Sequence, residues 1–448
     1  MRYFRLEPDV TLQLGACAGA LYALGRRSVL DLSPDEARIV RDCERGLPLE
    51  QISDGESDVN ALVNRLKRAH LGRYLERPIV VDRYVHATNA RVKGYYEPPL
   101  ALDAVYLQLA SRCDLSCTDC DTQEFATWQG CHSCQPWPGV LPGASWTREA
   151  LDDVVDQLAP LQIGHVYVAG GNPLLEEDLL RHVVERVSRW KRPAAVIVTT
   201  NGLGLSEELA RWMTARGGAF NFVRLAPDRS VSERVSQSSI AYDAVESAID
   251  CCRTASAKFY LTLRLSEQIR ITGERWRAKV SSLGAERVLL TERVRPVSRS
   301  DSHVWPLKAL RTTERTRVPQ VGPKEMFARR HVNHCLDRGI AVAADRQVRA
   351  CSMLEERLGD LAAEPLQRVF ADRRVDRYWQ MTKDSIAGCR QCEFRYACVD
   401  CTALDLWRTA LPKAGLLTCG YDPEHGAWAN GEASSPRANA ASTESKGR

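Results

Sequence analysis

Three cysteines fall within eight residues, Cys113, Cys117 and Cys120 in the segment CDLSCTDC, directly after an apolar run with strand character. No other feature restricts the chain as much. Three thiolates on one tight loop can occupy three corners of an iron–sulfur cubane and leave the fourth iron to an outside ligand. The same spacing also suits a zinc site completed by another residue. The chain carries 16 cysteines in 448 residues. No positively charged and then apolar segment opens it, and no run approaches the roughly 20 apolar residues of a membrane span. A cytoplasmic protein is therefore expected, where grouped cysteines are ligands rather than disulfides. Cys17, Cys43, Cys251 and Cys252 stand outside any array and read as small core or surface residues. With 61 Lys and Arg against 57 Asp and Glu, the net charge of +4 is too small to argue for nucleic acid.

Around that loop the expected class is α/β. Residues 104–110, 165–169, 195–199, 220–225, 258–265 and 286–290 read as strands, with amphipathic helices between them, including 148–158 and 207–214. This alternation predicts a parallel sheet whose ligands sit at the carboxyl ends of the strands. A partial barrel of six βα units fits, and a doubly wound sheet is the alternative.

Residues 1–80 form a separate unit in this reading, a β-hairpin plus three helices. Ser33, Pro34 and Glu36 supply a capping box, Gly46 supplies the stop, and 47–52 and 59–71 supply the further helices. A linker at 81–103, the barrel at 104–296, a bridge at 297–330, a cysteine-rich region at 331–425 and a disordered tail at 426–448 complete the division.

The loop and two further strand ends resemble the radical S-adenosylmethionine (SAM) superfamily. Gly170-Gly171-Asn172-Pro173 ends the second strand like that family's GGEP segment, and Thr200-Asn201-Gly202 ends the third like its TNG segment. The resemblance implies a partial (β/α)6 barrel and a [4Fe-4S] cluster on Cys113, Cys117 and Cys120. SAM chelates the unique iron there, and reduction splits it into methionine and a 5′-deoxyadenosyl radical. It also implies cofactor contacts from Gly170, Gly171, Asn172, Pro173, Thr200 and Asn201, with Arg224, Ser230 and Arg264 as further candidates. Two departures stand out. Asn172 replaces the usual Glu, so a neighbour such as Glu176 would carry the charge. Asp119 replaces an aromatic, for which Phe125 or Trp128 would substitute.

Farther on, Cys335 and Cys351 precede a compact array at Cys389, Cys392, Cys398 and Cys401, with Cys419 beyond. By spacing this could be a pair of zinc knuckles. It resembles the SPASM extensions of peptide-modifying radical-SAM enzymes, with 339–351 as their β-hairpin. That resemblance implies two auxiliary clusters. Cys389, Cys392, Cys398 and Cys419 would hold the distal one, and Cys335, Cys351 and Cys401 the proximal one, which lacks a fourth cysteine and would use His331, His334 or Asp337 or keep an open iron. Cys131 and Cys134 form an unassigned CxxC that could bind zinc with distant ligands, close over the first cluster or form a redox-prone pair; its place after the loop suits an active-site lid better than a remote structural knuckle.

The N-terminal unit resembles PqqD-like peptide-recognition domains, whose exposed β edge takes a leader peptide as an added strand. The combined expectation is a radical-SAM maturase that installs a thioether or C–C crosslink in a ribosomally made precursor peptide, reduced by a flavodoxin or ferredoxin. Two alternatives stay open. One is a radical-SAM dehydrogenase or small-molecule enzyme. The other is a metal-containing DNA-binding regulator, with Arg65, Lys67, Arg68 and Arg73 facing phosphate.

Overall fold

The computed structural model describes residues 1–52, 58–79, 100–118, 120, 126–127, 134, 137–141, 143–265, 273–294, 321–398, 402–403 and 421–428. Asp119, Phe125, Trp128, Cys131, Cys401, Cys419 and most of the segments expected as linker, bridge and tail lie outside the described residues.

The N-terminal unit opens with β1 (Tyr3–Leu6), β2 (Val10–Leu14), β3 (Gly19–Ala23) and β4 (Ser28–Leu32), followed by α1 (Pro34–Glu44), α2 (Val59–Arg68) and β5 (Gly72–Leu75). At the start of α1 the capping box is complete. Ser33 accepts from the Glu36 N–H, the Glu36 carboxylate accepts from the Ser33 N–H, and Pro34 occupies the first turn. Gly46, at φ +88, receives the chain beyond its end. Among the described residues the unit holds five strands and two α-helices rather than the expected hairpin with three helices. Residues 47–52 hold only a 3₁₀ turn, Leu49–Gln51, because Pro48 enters it in an extended conformation and too few residues follow to propagate a helix. The last strand, β5, closes antiparallel on β1, so Tyr3 faces Leu75 and Leu6 faces Gly72. Gly72 is required there, since a Cβ would sit 2.6 Å from the Arg5 carbonyl.

Strands β2, β3 and β4 form an antiparallel sheet with β3 in the middle, and β3 is buried on both faces. Leu21 and Ala23 face the unit's own core with Ile39, Val40, Leu62 and Leu66. Ala20 and Tyr22, one residue out of phase, pack instead against Val321, Met326, Phe327, Tyr396 and Ala397. The period-2 alternation of a strand thus serves two different cores.

Strands β6 (Ala101–Gln108), β8 (Gln162–Ala169), β9 (Ala195–Thr200), β10 (Ala219–Arg224), β11 (Lys258–Leu265) and β12 (Arg287–Val294) pair in parallel in sequence order. A doubly wound sheet requires the order to reverse at a switch point, and here it never does. The six strands are therefore singly wound. Helices α3 (Arg148–Leu158), α4 (Glu177–Ser188) and α5 (Glu207–Thr214) lay Leu151, Val155, Leu180, Val184, Leu209 and Met213 into one core with Val105, Leu107, Val166 and Val168. Next come α6 (Arg229–Ser236) and α7 (Ala241–Thr254). A short β7 (Ala126–Thr127) pairs antiparallel with β12.

The hairpin expected at 339–351 is present as β13 (Gly339–Val342) and β14 (Gln347–Arg349), but it does not belong to a unit of its own. β13 extends the main sheet, running parallel to β6 in the register Gly339↔Ala104 to Val342↔Leu107. Trp379 Nε1 donates to the Gly339 carbonyl at 3.0 Å, and Ala344 N donates to Gln108 Oε1 at 3.1 Å. Among the described residues the sheet thus runs from β12 through β6 to β13 and β14.

Candidate active site at the strand ends

Beyond β6 the chain runs through Leu109 and Ala110 into the loop of Cys113, Cys117 and Cys120. It lies directly over the end of β8, and the two glycines permit this. A Cβ on Gly170 (φ +91) would meet the Ala110 carbonyl at 2.6 Å, and one on Gly171 (φ +57) would meet the Arg112 carbonyl at 2.0 Å. The backbones are bonded where they cross, with Leu109 N donating to Ala169 O at 3.0 Å and Asn172 N donating to Arg112 O at 2.9 Å. Pro173, buried, starts the 3₁₀ turn that follows.

Sequence reasoning missed the organising residue, Asp114. One carboxylate oxygen accepts from Asn172 Nδ2 at 2.9 Å and the other from Asn201 Nδ2 at 2.6 Å. The cysteine loop is thereby tied to the ends of both β8 and β9. Asn172 is fully buried. Its amide also donates to Leu203 O at 3.1 Å, while its oxygen accepts from Thr200 Oγ1 at 2.7 Å and Leu174 N at 3.3 Å. Both donors and both lone pairs are occupied within the protein. An amide rather than a carboxylate at position 172 is what allows donation to Asp114. Asn201 also lies 3.6 Å from the Cys113 sulfur. Glu176, the expected substitute for a Glu at position 172, pairs instead with Arg112 at 2.7 Å. Only the position of Asp114 beside Cys113 hints at its role in the sequence.

Arg264, at 1% exposure on β11, points Nη1 to the Cys120 sulfur at 3.8 Å. A hydrogen bond from Cys117, reinforced by this guanidinium, pulls the Cys120 thiol down to about 6 against the effect of burial. The same hydrogen bond, with burial, pushes Cys117 up. The pair thus favours thiolate at Cys120, the form that ligates metal. Arg224 ends β10, 6% exposed, with Nη2 on Tyr242 Oη at 2.8 Å and Glu246 Oε1 at 2.6 Å. Its Nε and Nη1 have no partner among the described residues. Ser230 is exposed in the first turn of α6 and donates to Asp228. A buried polar row, Thr199, Asn221 and Thr262, crosses β9, β10 and β11 through bonds of 3.3 and 2.9 Å. These positions interrupt apolar strands, a signal the sequence reading left unused.

The donor set fits an iron–sulfur cluster held on one side only. Three cysteines share one short loop, and the buried Arg264 cation lies against the sulfur of one of them, Cys120. Among the described residues no three His, Cys, Asp or Glu side chains close around a single ion.

In the second cysteine region, Cys351 and Cys389 are buried, Cys335 is exposed, and Cys392 and Cys398 are half-buried. Main-chain N–H groups approach two of the sulfurs, Met353 N to Cys351 and Phe394 N to Cys392, both at 3.4 Å. His331 is exposed, and Asn333 orders the start of the region by accepting from the N–H groups of Cys335 and Leu336 at 2.9 Å. The 389–398 loop is the surface on which the N-terminal unit docks. Ala16 N donates to Gln391 O and Tyr22 Oη to Glu393 O, both at 2.8 Å, while Arg395 Nη1 donates to Leu14 O at 3.2 Å.

Residues 104–215 match the family model of the 4Fe-4S single cluster domain. GTP 3′,8-cyclase of Aquifex aeolicus (strain VF5) is 31% identical over 113 residues, which are 24% of this chain and 30% of the cyclase, so the chain spans under a third of that curated relative. Among solved structures, native anSMEcpe with bound AdoMet aligns over 67% of this chain and 90% of its own, at 13% identity and a TM-score of 0.51. SuiB of Streptococcus suis, bound to its precursor peptide SuiA, aligns over 92% of this chain and 98% of its own, at 11% identity and a TM-score of 0.49. The chain shares its fold, a mixed sheet, with the AdoMet-bound anSMEcpe structure, and the 4Fe-4S single cluster match falls on residues 104–215 of it. Among the described residues no helix is long and apolar enough to cross a membrane.

Proposed function

We propose that this chain is a radical-SAM enzyme that modifies a ribosomally made precursor peptide. The observation that carries the reading is the junction at Asp114. One carboxylate joins the cysteine loop to the Gly-Gly-Asn-Pro and Thr-Asn-Gly strand ends, so the three segments of the resemblance form a single site. Cys113, Cys117 and Cys120 hold the [4Fe-4S] cluster, and SAM bound to it supplies, on one-electron reduction, a primary carbon radical able to abstract hydrogen.

The protein's part is placement and shielding. Gly170 and Gly171 bring the loop onto β8. Asn172, itself braced by Thr200, and Asn201 hold Asp114, a fixed negative charge that would serve the methionyl ammonium in place of the missing Glu. Arg224 offers two open guanidinium nitrogens to a carboxylate. Arg264 balances the thiolate charge at Cys120, and Ser230 lies at the rim. The Thr199–Asn221–Thr262 row gives the interior fixed polar contacts without a mobile charge.

The finer architecture belongs to the same reading. The N-terminal unit is a winged-helix-like, PqqD-like peptide receiver, and the outer edge of β4, unpaired among the described strands, seats the leader peptide as an added strand. Cys389, Cys392, Cys398 and Cys419 hold a distal auxiliary cluster, and Cys335, Cys351 and Cys401 hold a proximal one, within the SPASM-like region. These would take the electron released on forming a thioether or C–C crosslink, with a flavodoxin or ferredoxin as reductant. On the basic face of the alternative regulator reading, Arg65 pairs with Glu36 at 2.8 Å and Lys67 lies over the Tyr74 ring, contacts that support a structural use of these side chains.

A small-molecule substrate is the second reading, favoured by the cyclase match over 24% of the chain. One experiment separates the two. Anaerobically reconstituted protein is given reductant, SAM and the short peptide encoded beside its gene, and both peptide and nucleoside are followed by mass spectrometry. A peptide mass change accompanied by 5′-deoxyadenosine is expected. Deoxyadenosine without any peptide change would favour a small molecule, and no deoxyadenosine under strong reduction would end the radical reading.

A further inference from the structure

We propose that Cys134 is a fourth ligand of the first cluster. In protein without SAM it binds the iron that Cys113, Cys117 and Cys120 leave open, and it gives up that position when the cofactor arrives. The inference rests on the reading above and adds a resting state to it.

Cys134 is 4% exposed and packs in a small group with Cys117, Val223, Leu225 and Val231, with Cys120 against the same group. Cys120, Cys113 and the Arg264 guanidinium all lie within electrostatic range of its sulfur. The other buried cysteines outside the motif differ: Cys43 belongs to the core of the N-terminal unit, Cys252 and Cys351 to that of the barrel, and Cys389 to the second cysteine region. Cys134 is thus the one described cysteine outside the CDLSCTDC motif to share a packing group with it.

Its placement is set from the far edge of the sheet. Arg349, fully buried on β14, donates to the carbonyls of Pro138 and, at 3.1 Å, Gly139. Trp137, 4% exposed, packs with Ala169, Ala341 and Ala343. Residues 137–139 are therefore fixed to β8, β13 and β14, and the packing group of Cys134 with Cys117 places the thiol beside the loop. A single thiolate is a monodentate ligand and gives way to a chelate of amino and carboxylate groups. Binding iron releases the thiol proton and displacement returns it, and no electron is exchanged.

The test uses full-length protein loaded with iron and sulfide anaerobically and reduced with dithionite, with cyanide as a probe of an open iron. Wild type, Cys134→Ala and Cys134→Ser are compared by electron paramagnetic resonance, with and without cyanide and SAM. A cyanide-induced difference signal is expected in the alanine variant and absent from wild type. An auxiliary cluster that binds cyanide would respond alike in both proteins and cancel. The apparent affinity for SAM should rise about threefold or more in the alanine variant, since a competing internal ligand is gone. If the alanine variant loses iron, the serine variant, of similar size, decides. Equal cyanide signals in wild type and variant, or a cyanide signal in neither, would overturn the proposal. If SAM changes no spectrum in any protein, the radical reading fails, while the cyanide contrast still reports on Cys134.

Discussion

The two cysteine loops of this chain are positioned by opposite means. The loop of Cys113–Cys120 is held from beneath by side chains: Asp114 bridges two asparagines on different strand ends, and the backbone crosses β8 where only glycine fits. The loop of Cys389–Cys398 is held by its own short turns, Cys392 N to Cys389 O and Cys398 N to Phe394 O, both at 2.9 Å, and by the N-terminal unit pressed against it. In the proposed reading, a loop that would leave one iron open is fixed by groups around it rather than by a fourth ligand in the motif. The second loop doubles as a docking surface, so any peptide held by the N-terminal unit is held in fixed relation to it.

The sharpest break in this comparison is Gly171→Ala. The added carbon meets the Arg112 carbonyl at 2.0 Å in a backbone region that disfavours side chains, so the first loop must shift. Deoxyadenosine formation should fall by about 100-fold, the effect of a displacement near 1 Å at a reacting centre. Iron bound by the second loop should be unchanged, as Mössbauer spectra of the variant would show.

Asp114→Asn is expected to be milder. It replaces a carboxylate that accepts from two amides with an amide that can accept on one side only. Loss of a charge-assisted hydrogen bond of about 1.5–3 kcal/mol predicts roughly 10- to 100-fold weaker SAM binding, measured by equilibrium dialysis of the loaded protein.

A third measurement uses metal-free protein. Thiolate forms above the pKa, so alkylation of Cys120 by iodoacetamide should reach half its maximum rate near pH 6. Arg264→Leu removes the cation that lowers it, and the midpoint should move upward toward the ordinary thiol value of about 8.5. An unchanged profile would show that Arg264 does not act on that sulfur.

On the second loop, Tyr22→Phe removes the bond to the Glu393 carbonyl while keeping the ring. A loss of about 1 kcal/mol is expected, read as faster proteolytic release of the N-terminal unit with deoxyadenosine formation unchanged. The smallest effect belongs to Arg27→Ala, whose partner Glu325 shares an exposed ion pair at 2.7 Å. No more than about 0.2–1 kcal/mol should be lost, and less at high salt.

Local signals in the sequence carried most of the elements and little of their assembly. The helices at 148–158 and 207–214, the Ser33 capping box and the six barrel strands follow from periodicity and caps, which are properties of contiguous residues. The cysteine spacings and the two glycine-bearing strand ends likewise stood in the sequence as short motifs.

Only the tertiary structure decided what meets what. Asp114 lies 58 residues from Asn172 and 87 from Asn201, and no local pattern encodes such a pair. The same holds for β13 joining β6, for Tyr22 reaching Glu393 across 371 residues, and for Cys134 beside Cys117. A motif is a run of neighbours along the chain, whereas a site forms where strands distant in sequence end at the same edge of a sheet.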